Sequence, residues 1–136
     1  PVVLGRSEAK LALARRAGLP AVPADAATGR EFDVVVEATG SPEGLARAVS
    51  IVRPRGTIVL KSTYHGAAPV ALAPVVIDEI TIVGSRCGRF EPALAHLAVD
   101  PSLVAPLVTA RFALADAASA FALASDPASM KVLLAP

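Results

Sequence analysis

Four short segments of small, polar or glycine residues are the places where this sequence could bind a ligand. Each one follows an apolar run of strand-like composition. The segments are Gly5-Arg6-Ser7, Ala38-Thr39-Gly40-Ser41, Lys61-Ser62-Thr63 and Gly84-Ser85-Arg86-Cys87. Because small residues leave room beside the backbone, a ligand or its phosphates can approach the chain closely at such points. The pattern predicts that the four segments line a binding edge.

The sequence offers little else that could do chemistry. Cys87 is the single cysteine, which excludes an intramolecular disulfide and a cysteine-based zinc site. No base is paired with it in the sequence, and we interpret it in isolation as a small buried hydrophobe. His65 in a loop and His96 on a helix do not make a metal site. We therefore predict no catalytic residue and no metal ligand in this chain.

The composition predicts one soluble domain. The 136 residues are 54% hydrophobic and 18% charged, which excludes intrinsic disorder. A formal net charge of +1 with scattered arginines excludes a basic nucleic-acid-binding stripe. No apolar run approaches the roughly 20 residues that cross a bilayer, and no signal peptide is visible. We expect a cytoplasmic protein with neither nucleic acid nor membrane as a partner.

Apolar, β-branched runs supply the strands that must position the four segments. The run at 33–37 is nearly continuous, as is typical of a strand covered on both faces. Ser7 and Ser41 are predicted to cap the two helices that follow, and Gly18 is expected as a left-handed helix end. The predicted strands are 1–4, 19–22, 33–37, 57–60, 80–83 and 131–134, with helices at 8–17, 42–53, 92–98 and 114–125.

Two segments are predicted without regular helix or sheet pairing. Residues 62–74 contain Gly66, Pro69 and Pro74 and are predicted as a loop, while 103–112 contain Pro106 and are predicted as extended. Strands that alternate with helices indicate crossover units and a parallel sheet, hence an α/β fold of the doubly wound class. Ligands bind such open sheets outside the carboxyl ends of the strands, where the four segments lie.

An ordered set of strings resembles the medium-chain dehydrogenases, the zinc-type alcohol dehydrogenase family. GRSEAKLALARRAG at 5–18 resembles the second strand and following helix of their Rossmann-type coenzyme domain. Three further strings, DVVVEATG (33–40), RPRGTIVL (53–60) and IVGS (82–85), resemble its fourth, fifth and sixth strands. Two more, FALADAASAF (112–121) and MKVL (130–133), resemble the segment that returns to the catalytic domain.

The departures from the family pattern concern its first half. The sequence has no glycine-rich G-x-G-x-x-G turn after a first strand, and the family's zinc ligands lie in an N-terminal domain that it does not contain. Pro1 stands where a start methionine would. We therefore expect residues 1–87 to be a partial coenzyme domain that lacks its first strand, and 88–136 to be the returning segment. Such a chain alone is expected to be unstable or to self-associate, to bind NADP weakly and to be inactive.

The resemblance implies a position for each part of the coenzyme. Gly5, Arg6, Ser7 and Lys10 would surround the adenosine ribose, and a small residue followed by cations favours the 2′-phosphate of NADP over NAD. The alternative is that Arg6 and Lys10 are solvated charges at a helix start. Lys131 would lie near the pyrophosphate, or else be an exposed lysine that discourages edge pairing.

On the nicotinamide side, the resemblance implies that the ends of three strands line the ring. Thr39 and Gly40 would border the ribose, and Glu37 beside them should have a partner because an unpaired buried carboxylate is costly. The residues that would line the nicotinamide are Lys61, Ser62, Thr63, Ser85, Arg86 and Cys87. The alternative for Lys61 and Arg86 is that they are strand-end charges reaching solvent.

The resemblance implies part of an NAD(P)-dependent, zinc-type alcohol or polyol dehydrogenase. Such an enzyme moves hydride between a small alcohol or carbonyl compound and the coenzyme, and is expected to be a homo-oligomer. Two alternatives remain open at this point. One is a nucleotide-binding module that a partner chain completes, and the other is a zinc-free enone or quinone reductase of the same superfamily.

Overall fold

A computed structural model describes residues 1–64, 67 and 70–136. Its β-strands are β1 (Val3–Gly5), β2 (Ala21–Pro23), β3 (Phe32–Glu37), β4 (Val52–Leu60), β5 (Thr81–Gly84), β6 (Val108–Ala113) and β7 (Lys131–Ala135). Its α-helices are α1 (Glu8–Arg16), α2 (Pro42–Ile51), α3 (Ala73–Ile77), α4 (Phe90–Val99) and α5 (Ala117–Ala124). All strand pairs among the described residues are parallel, so the predicted α/β class with parallel sheets is confirmed.

The chain divides into two compact units. One contains residues 1–26 together with 89–136, and the other contains residues 27–88. The predicted domain boundary at residue 87 concerns a larger protein and stays a prediction. His65, Gly66 and Pro69, which we predicted in a loop, lie outside the described residues.

The unit of residues 27–88 is built on a parallel sheet in the order β3-β4-β5. Its register is continuous at the carboxyl end, where Glu37 pairs with Leu60 and Leu60 pairs with Gly84. Parallel strands of this kind need a crossover between them, and α2 supplies the one from β3 to β4.

The core of this unit lies on one face of the sheet. The predicted stripe of α2, including Leu45, Ala48 and Val49, packs with Val52 and Ile58, which are fully buried. Its other members are Ile80 and the partly buried Val35, Leu60, Val70 and Val75. Burial of this apolar stripe fixes α2 against the sheet.

The prediction that residues 33–37 are covered on both faces is wrong for the described residues. Val34 is 55% exposed and Val36 is 59% exposed. The alternation of a strand directs Val35 to the face where α2 and Val75 of α3 pack, and directs its two neighbours to the opposite face.

The β4 strand begins earlier than predicted, at Val52 rather than Thr57, and it contains a bulge. Phe32 pairs with Val52 whereas Val34 already pairs with Thr57, so the four residues 53–56 lie opposite the single residue Asp33, three more than regular pairing needs. Arg55 has a φ of 60° and donates its N–H to the Asp78 carbonyl at 2.7 Å. We call residues 53–56 the β4 bulge.

The two predicted irregular segments each contain more structure than expected. Residues 73 and 74 are not loop but the start of α3, where Pro74 suits a first helical turn and Val75 packs on the core. Residues 101–103 and 105–107 form 3-10 turns, so only 108–112 of the segment predicted as extended lies in a strand, β6. Proline in the first turn of each explains the difference.

In the other unit, β1 pairs with β2 and β6 pairs with β7. Gly18 has a φ of +78° after α1, which confirms the predicted left-handed helix end. The side chains of Ser7 and Ser41 occupy N-cap positions but make no capping hydrogen bond, so the predicted caps are wrong in that respect. Among the described residues, no helix is long and apolar enough to cross a membrane.

Candidate functional site

The carboxyl ends of β3, β4 and β5 lie side by side and bring three of the four predicted segments together. The sheet bonding continues past the strands, because Lys61 N–H donates to the Glu37 carbonyl and Ser85 N–H to the Leu60 carbonyl, both at 2.9 Å. We call residues 37–41, 61–63 and 85–87 the carboxyl edge. The fourth segment, at the end of β1, belongs to the other unit.

Side-chain oxygens hold the turn that follows β3. Three successive backbone N–H groups each donate to one of them. Thr39 N–H donates to Glu37 Oε1 at 2.7 Å, Gly40 N–H to Ser62 Oγ at 2.8 Å, and Ser41 N–H to Thr39 Oγ1 at 3.2 Å. These donors are therefore not free to bind a phosphate, in contrast to what the small residues at 38–41 suggested.

Glu37 is the centre of this arrangement. Its side chain is 2% exposed, and the Thr39 hydroxyl donates to Oε1 at 2.6 Å, so the predicted partner exists. Burial raises the pKa of the carboxyl, but the hydrogen bonds of Thr39, helped by the nearby Ser62, outweigh burial and place the pKa below its ordinary value. Oε2 accepts no hydrogen bond from a described residue. Glu37 is thus a buried carboxyl whose hydrogen bonds favour the ionised form.

Two glycines near this turn face opposite surroundings. A Cβ on Gly44, in the first turn of α2, would collide with Thr39 Oγ1 and Glu37 Oε1 and lie 2.9 Å from Glu37 Cδ. A Cβ on Gly40, which has a φ of +70°, would meet nothing described within 4 Å. Gly44 therefore lets α2 close over the carboxylate, while Gly40 leaves open space on the outer side of the turn.

Lys61 links the ends of β4 and β5. Its Nζ donates to the Arg86 carbonyl at 2.8 Å and lies 3.3 Å from Ser85 Oγ. Thr63, Arg86 and Cys87 are exposed, and no side-chain hydrogen bond joins them to the described residues. The exposed thiol of Cys87 corrects our interpretation of that residue as a buried hydrophobe.

The end of β1 has a different character. A Cβ on Gly5 would lie 3.1 Å from Leu11 Cδ2, so close packing by α1 accounts for that glycine. Arg6 and Lys10 are exposed and have no ion-pair partner among the described residues, because Glu8 is paired with Arg15. These two cations remain available for an anionic ligand.

Lys131, the remaining predicted binding residue, is the first residue of β7. Its side chain is exposed and has no partner among the described residues. It lies in the unit of residues 1–26 and 89–136, so its predicted role near a pyrophosphate stays a prediction.

Sequence reasoning missed how Glu37, Thr39, Ser41 and Gly44 act together. A signal was present, because an isolated glycine inside a helical pattern costs stability and usually has a packing reason. The spacing from Glu37 to Gly44 could have indicated that a helix closes over a carboxylate.

The described residues contain no group of three or more His, Cys, Asp or Glu side chains that could hold a metal ion. The described strand ends offer groups that can bind and position a ligand.

Comparison with known proteins identifies the family. Residues 1–99 match the family described as zinc-binding dehydrogenase. The chain is 33% identical over 138 aligned positions to D-altritol 5-dehydrogenase of Agrobacterium fabrum, covering 95% of this chain and 41% of that protein. It is 29% identical to mouse sorbitol dehydrogenase, covering 78% of this chain and 30% of that protein. The chain thus spans less than half the length of these relatives.

Solved structures agree with this match. An Escherichia coli alcohol dehydrogenase solved with NADH superimposes with a TM-score of 0.79 at 25% identity, over 99% of this chain and 44% of its own. A Sinorhizobium meliloti protein solved with NADP superimposes with a TM-score of 0.80 at 20% identity, over 99% of this chain and 44% of its own. The fold is therefore that of the alcohol dehydrogenase structures. This chain belongs to the zinc-binding dehydrogenase family.

Proposed function

We propose that this chain is the main part of the coenzyme-binding domain of an NAD(P)-dependent alcohol or polyol dehydrogenase. The observation that carries the proposal is the carboxyl edge, where three strand ends of a family-typical parallel sheet are joined by hydrogen bonds while Gly40 and Gly84 leave open space. The polyol class is supported by the relatives, which are named for altritol and sorbitol.

Each part of the proposed site has its own task. The Thr39-Gly40 turn borders the ribose of the nicotinamide half, and the strand ends of β4 and β5 orient the ring. A bound nicotinamide would supply the chemistry of accepting or returning a hydride. The chain contributes by holding Thr39, Ser62 and Ser85 in fixed positions, because correct orientation of the reacting groups lowers the barrier.

We further propose that the coenzyme is NADP rather than NAD. Arg6 and Lys10 support this choice, because both cations are exposed and unpaired among the described residues. Gly5 leaves no side chain where an acidic residue would bind the ribose hydroxyls of NAD. The 2′-phosphate of NADP would thus meet two free cations at the end of β1.

The test uses the protein encoded by the complete reading frame that contains these residues. Calorimetric titration with NADP and NAD should show binding of at least one coenzyme, with NADP tighter. Turnover with a set of sugar alcohols, followed by the absorbance of reduced nicotinamide, should show oxidation of at least one. Binding of neither coenzyme would contradict the proposal, and so would reduction of enones or quinones without polyol oxidation.

Two finer points belong to the same proposal. We expect the full-length enzyme to be a cytoplasmic homo-oligomer, as predicted from the resemblance. Light scattering on the purified protein and fractionation of the source cells would check these points independently of catalysis.

A further inference from the structure

We propose that Glu37 is a positioning residue that presets the shape of the Thr39-Gly40 turn before the coenzyme binds. This inference deepens the proposed function and rests on it, since the turn is taken to border the coenzyme. Glu37 itself cannot touch a ligand in this structure, because it is 2% exposed and lies beneath the first turn of α2.

The first step of the argument is the convergence of two donors on one oxygen. Both the N–H and the hydroxyl of Thr39 bind Glu37 Oε1, at 2.7 and 2.6 Å. Hydrogen bonds to an ionised acceptor are stronger than neutral ones. One carboxylate oxygen therefore fixes both the backbone and the side chain of Thr39.

The second step is the transmission of this order to the neighbouring residues. With its hydroxyl hydrogen directed to Glu37, Thr39 Oγ1 can accept from Ser41 N–H at 3.2 Å, and Ser41 is the N-cap residue of α2. Between them, Gly40 N–H is held by Ser62 Oγ at the end of β4. The turn and the helix start are thus coupled through Glu37 and Thr39, and Gly40 joins the same turn to the end of β4.

The third step is the closure of the site by Gly44. Its missing side chain lets α2 pack directly on the carboxylate, which excludes water from that side. The carboxylate also lies at the positive end of the α2 dipole, which favours a negative charge. A buried, ionised Glu37 is therefore compatible with its surroundings even though Oε2 accepts no hydrogen bond from a described residue.

The test compares variants that separate geometry from charge. Glu37→Gln keeps one acceptor oxygen but no charge, whereas Glu37→Asp keeps the charge but is one methylene shorter and should not reach both donors. Glu37→Leu keeps neither. The matched control is Val35→Ala on the same strand, because Val35 packs on the hydrophobic core of this unit.

We expect Glu37→Asp and Glu37→Leu to weaken coenzyme binding about tenfold or more, which is the effect of losing a hydrogen bond to a charged group. Glu37→Gln should weaken binding less than either, by under about tenfold, because it retains the acceptor for Thr39 but not the charge that strengthens both bonds. The KM for the alcohol at saturating coenzyme should not change. Val35→Ala should lower the unfolding temperature without changing coenzyme affinity.

Hydrogen exchange in the ligand-free protein provides a readout that does not depend on catalysis. The amides of residues 39–41 should exchange faster in Glu37→Asp and Glu37→Leu than in the wild type or Val35→Ala. If the wild type binds no coenzyme but its amides at residues 39–41 still exchange more slowly than those of Glu37→Asp and Glu37→Leu, the proposed function fails while the positioning role stands.

Three results would overturn the inference. One is unchanged exchange at residues 39–41 in Glu37→Asp, which decides the matter even if Glu37→Leu does not fold. Another is wild-type coenzyme affinity in Glu37→Asp together with a loss in Glu37→Gln, which would make charge the cause. The third is an equal loss of affinity in Val35→Ala, which would reduce Glu37 to a stabilising residue.

Discussion

The carboxyl edge and the end of β1 are two candidate coenzyme-contacting regions that are built in opposite ways. At the carboxyl edge, backbone donors and the Lys61 ammonium are already engaged by protein oxygens. At the end of β1, Arg6 and Lys10 extend into solvent with no partner among the described residues. The carboxyl edge is held by internal hydrogen bonds before a ligand binds, whereas the end of β1 has two cations with no ion-pair partner among the described residues.

This difference separates two kinds of contribution to binding. A preset turn costs little entropy when a ligand docks and determines where the reacting ring lies. Free cations lose side-chain entropy on binding but gain a strong interaction with a phosphate, so under the proposed function they would favour the coenzyme that carries a 2′-phosphate. Substitutions at the carboxyl edge should therefore affect both coenzymes, and substitutions at the end of β1 should affect only one.

The largest effect is expected for Gly44→Ala. The new methyl group would collide with Thr39 and Glu37, and overpacking of this kind costs about 1–3 kcal/mol. Ala is the better helix former by up to about 1 kcal/mol, so a net loss of stability would show that the collision dominates. Thermal unfolding and titration with both coenzymes would measure the two consequences.

Gly88→Ala is the control for this substitution. A Cβ on Gly88 would meet nothing described within 4 Å, so its unfolding temperature should match that of the wild type. A Gly44→Ala protein as stable as Gly88→Ala would mean that α2 does not close over Glu37.

A selective effect is expected for Arg6→Ala. Loss of one charged contact to the 2′-phosphate should weaken NADP binding about tenfold and leave NAD binding unchanged. Arg16→Ala removes an exposed charge from the far end of α1, the helix that follows Arg6, and should change neither affinity. Equal losses for both coenzymes on Arg6→Ala would erase the distinction between the two regions.

A pH-dependent effect is expected from Glu37. Its pKa is lower in the folded chain, so its contribution to stability is complete above the unfolded value of about 4.3 and is lost as the pH falls through the folded pKa. Between about pH 6 and pH 3, the unfolding temperature of the wild type should fall more steeply than that of Glu37→Gln. Glu31→Gln, at an exposed position, should follow the wild-type curve.

The smallest effect is expected for Lys61→Met. Exposed polar contacts contribute at most about 1 kcal/mol, so the KM for the coenzyme should rise no more than about fivefold at an unchanged unfolding temperature. A rise of tenfold or more would instead indicate that the ammonium touches the coenzyme directly, as the resemblance implied.

Much of the fold could be predicted from local pattern. The positions of β3, β5, α1 and α4 follow from apolar runs, helix-end glycines and prolines, all of which act within a few residues. The exposed face of β3 could not be predicted, because the composition of Val34 and Val36 is that of a buried strand. Which face is covered depends on where α2 and α3 pack, and that is a long-range outcome.

The candidate site, like the fold, could be predicted only in part. Strand-end position was enough to select the residues of the carboxyl edge, since parallel topology brings such ends together. The directions of their hydrogen bonds were not predictable, because they depend on backbone torsions in the turn. That is why the 38–41 segment resembled a phosphate site in sequence, although its donors at residues 39–41 are used internally.

Because of the β4 bulge, the number of residues at the amino end of the sheet does not determine the geometry of the carboxyl edge. Residues 53–56 are accommodated at the amino end of the sheet, and from Val34 opposite Thr57 to Glu37 opposite Leu60 the pairing runs without interruption. Insertions or deletions in this bulge can therefore be absorbed without moving Lys61 and Ser62 relative to Glu37. The amino end of the sheet is therefore the place where we expect a change in chain length to disturb the carboxyl edge least.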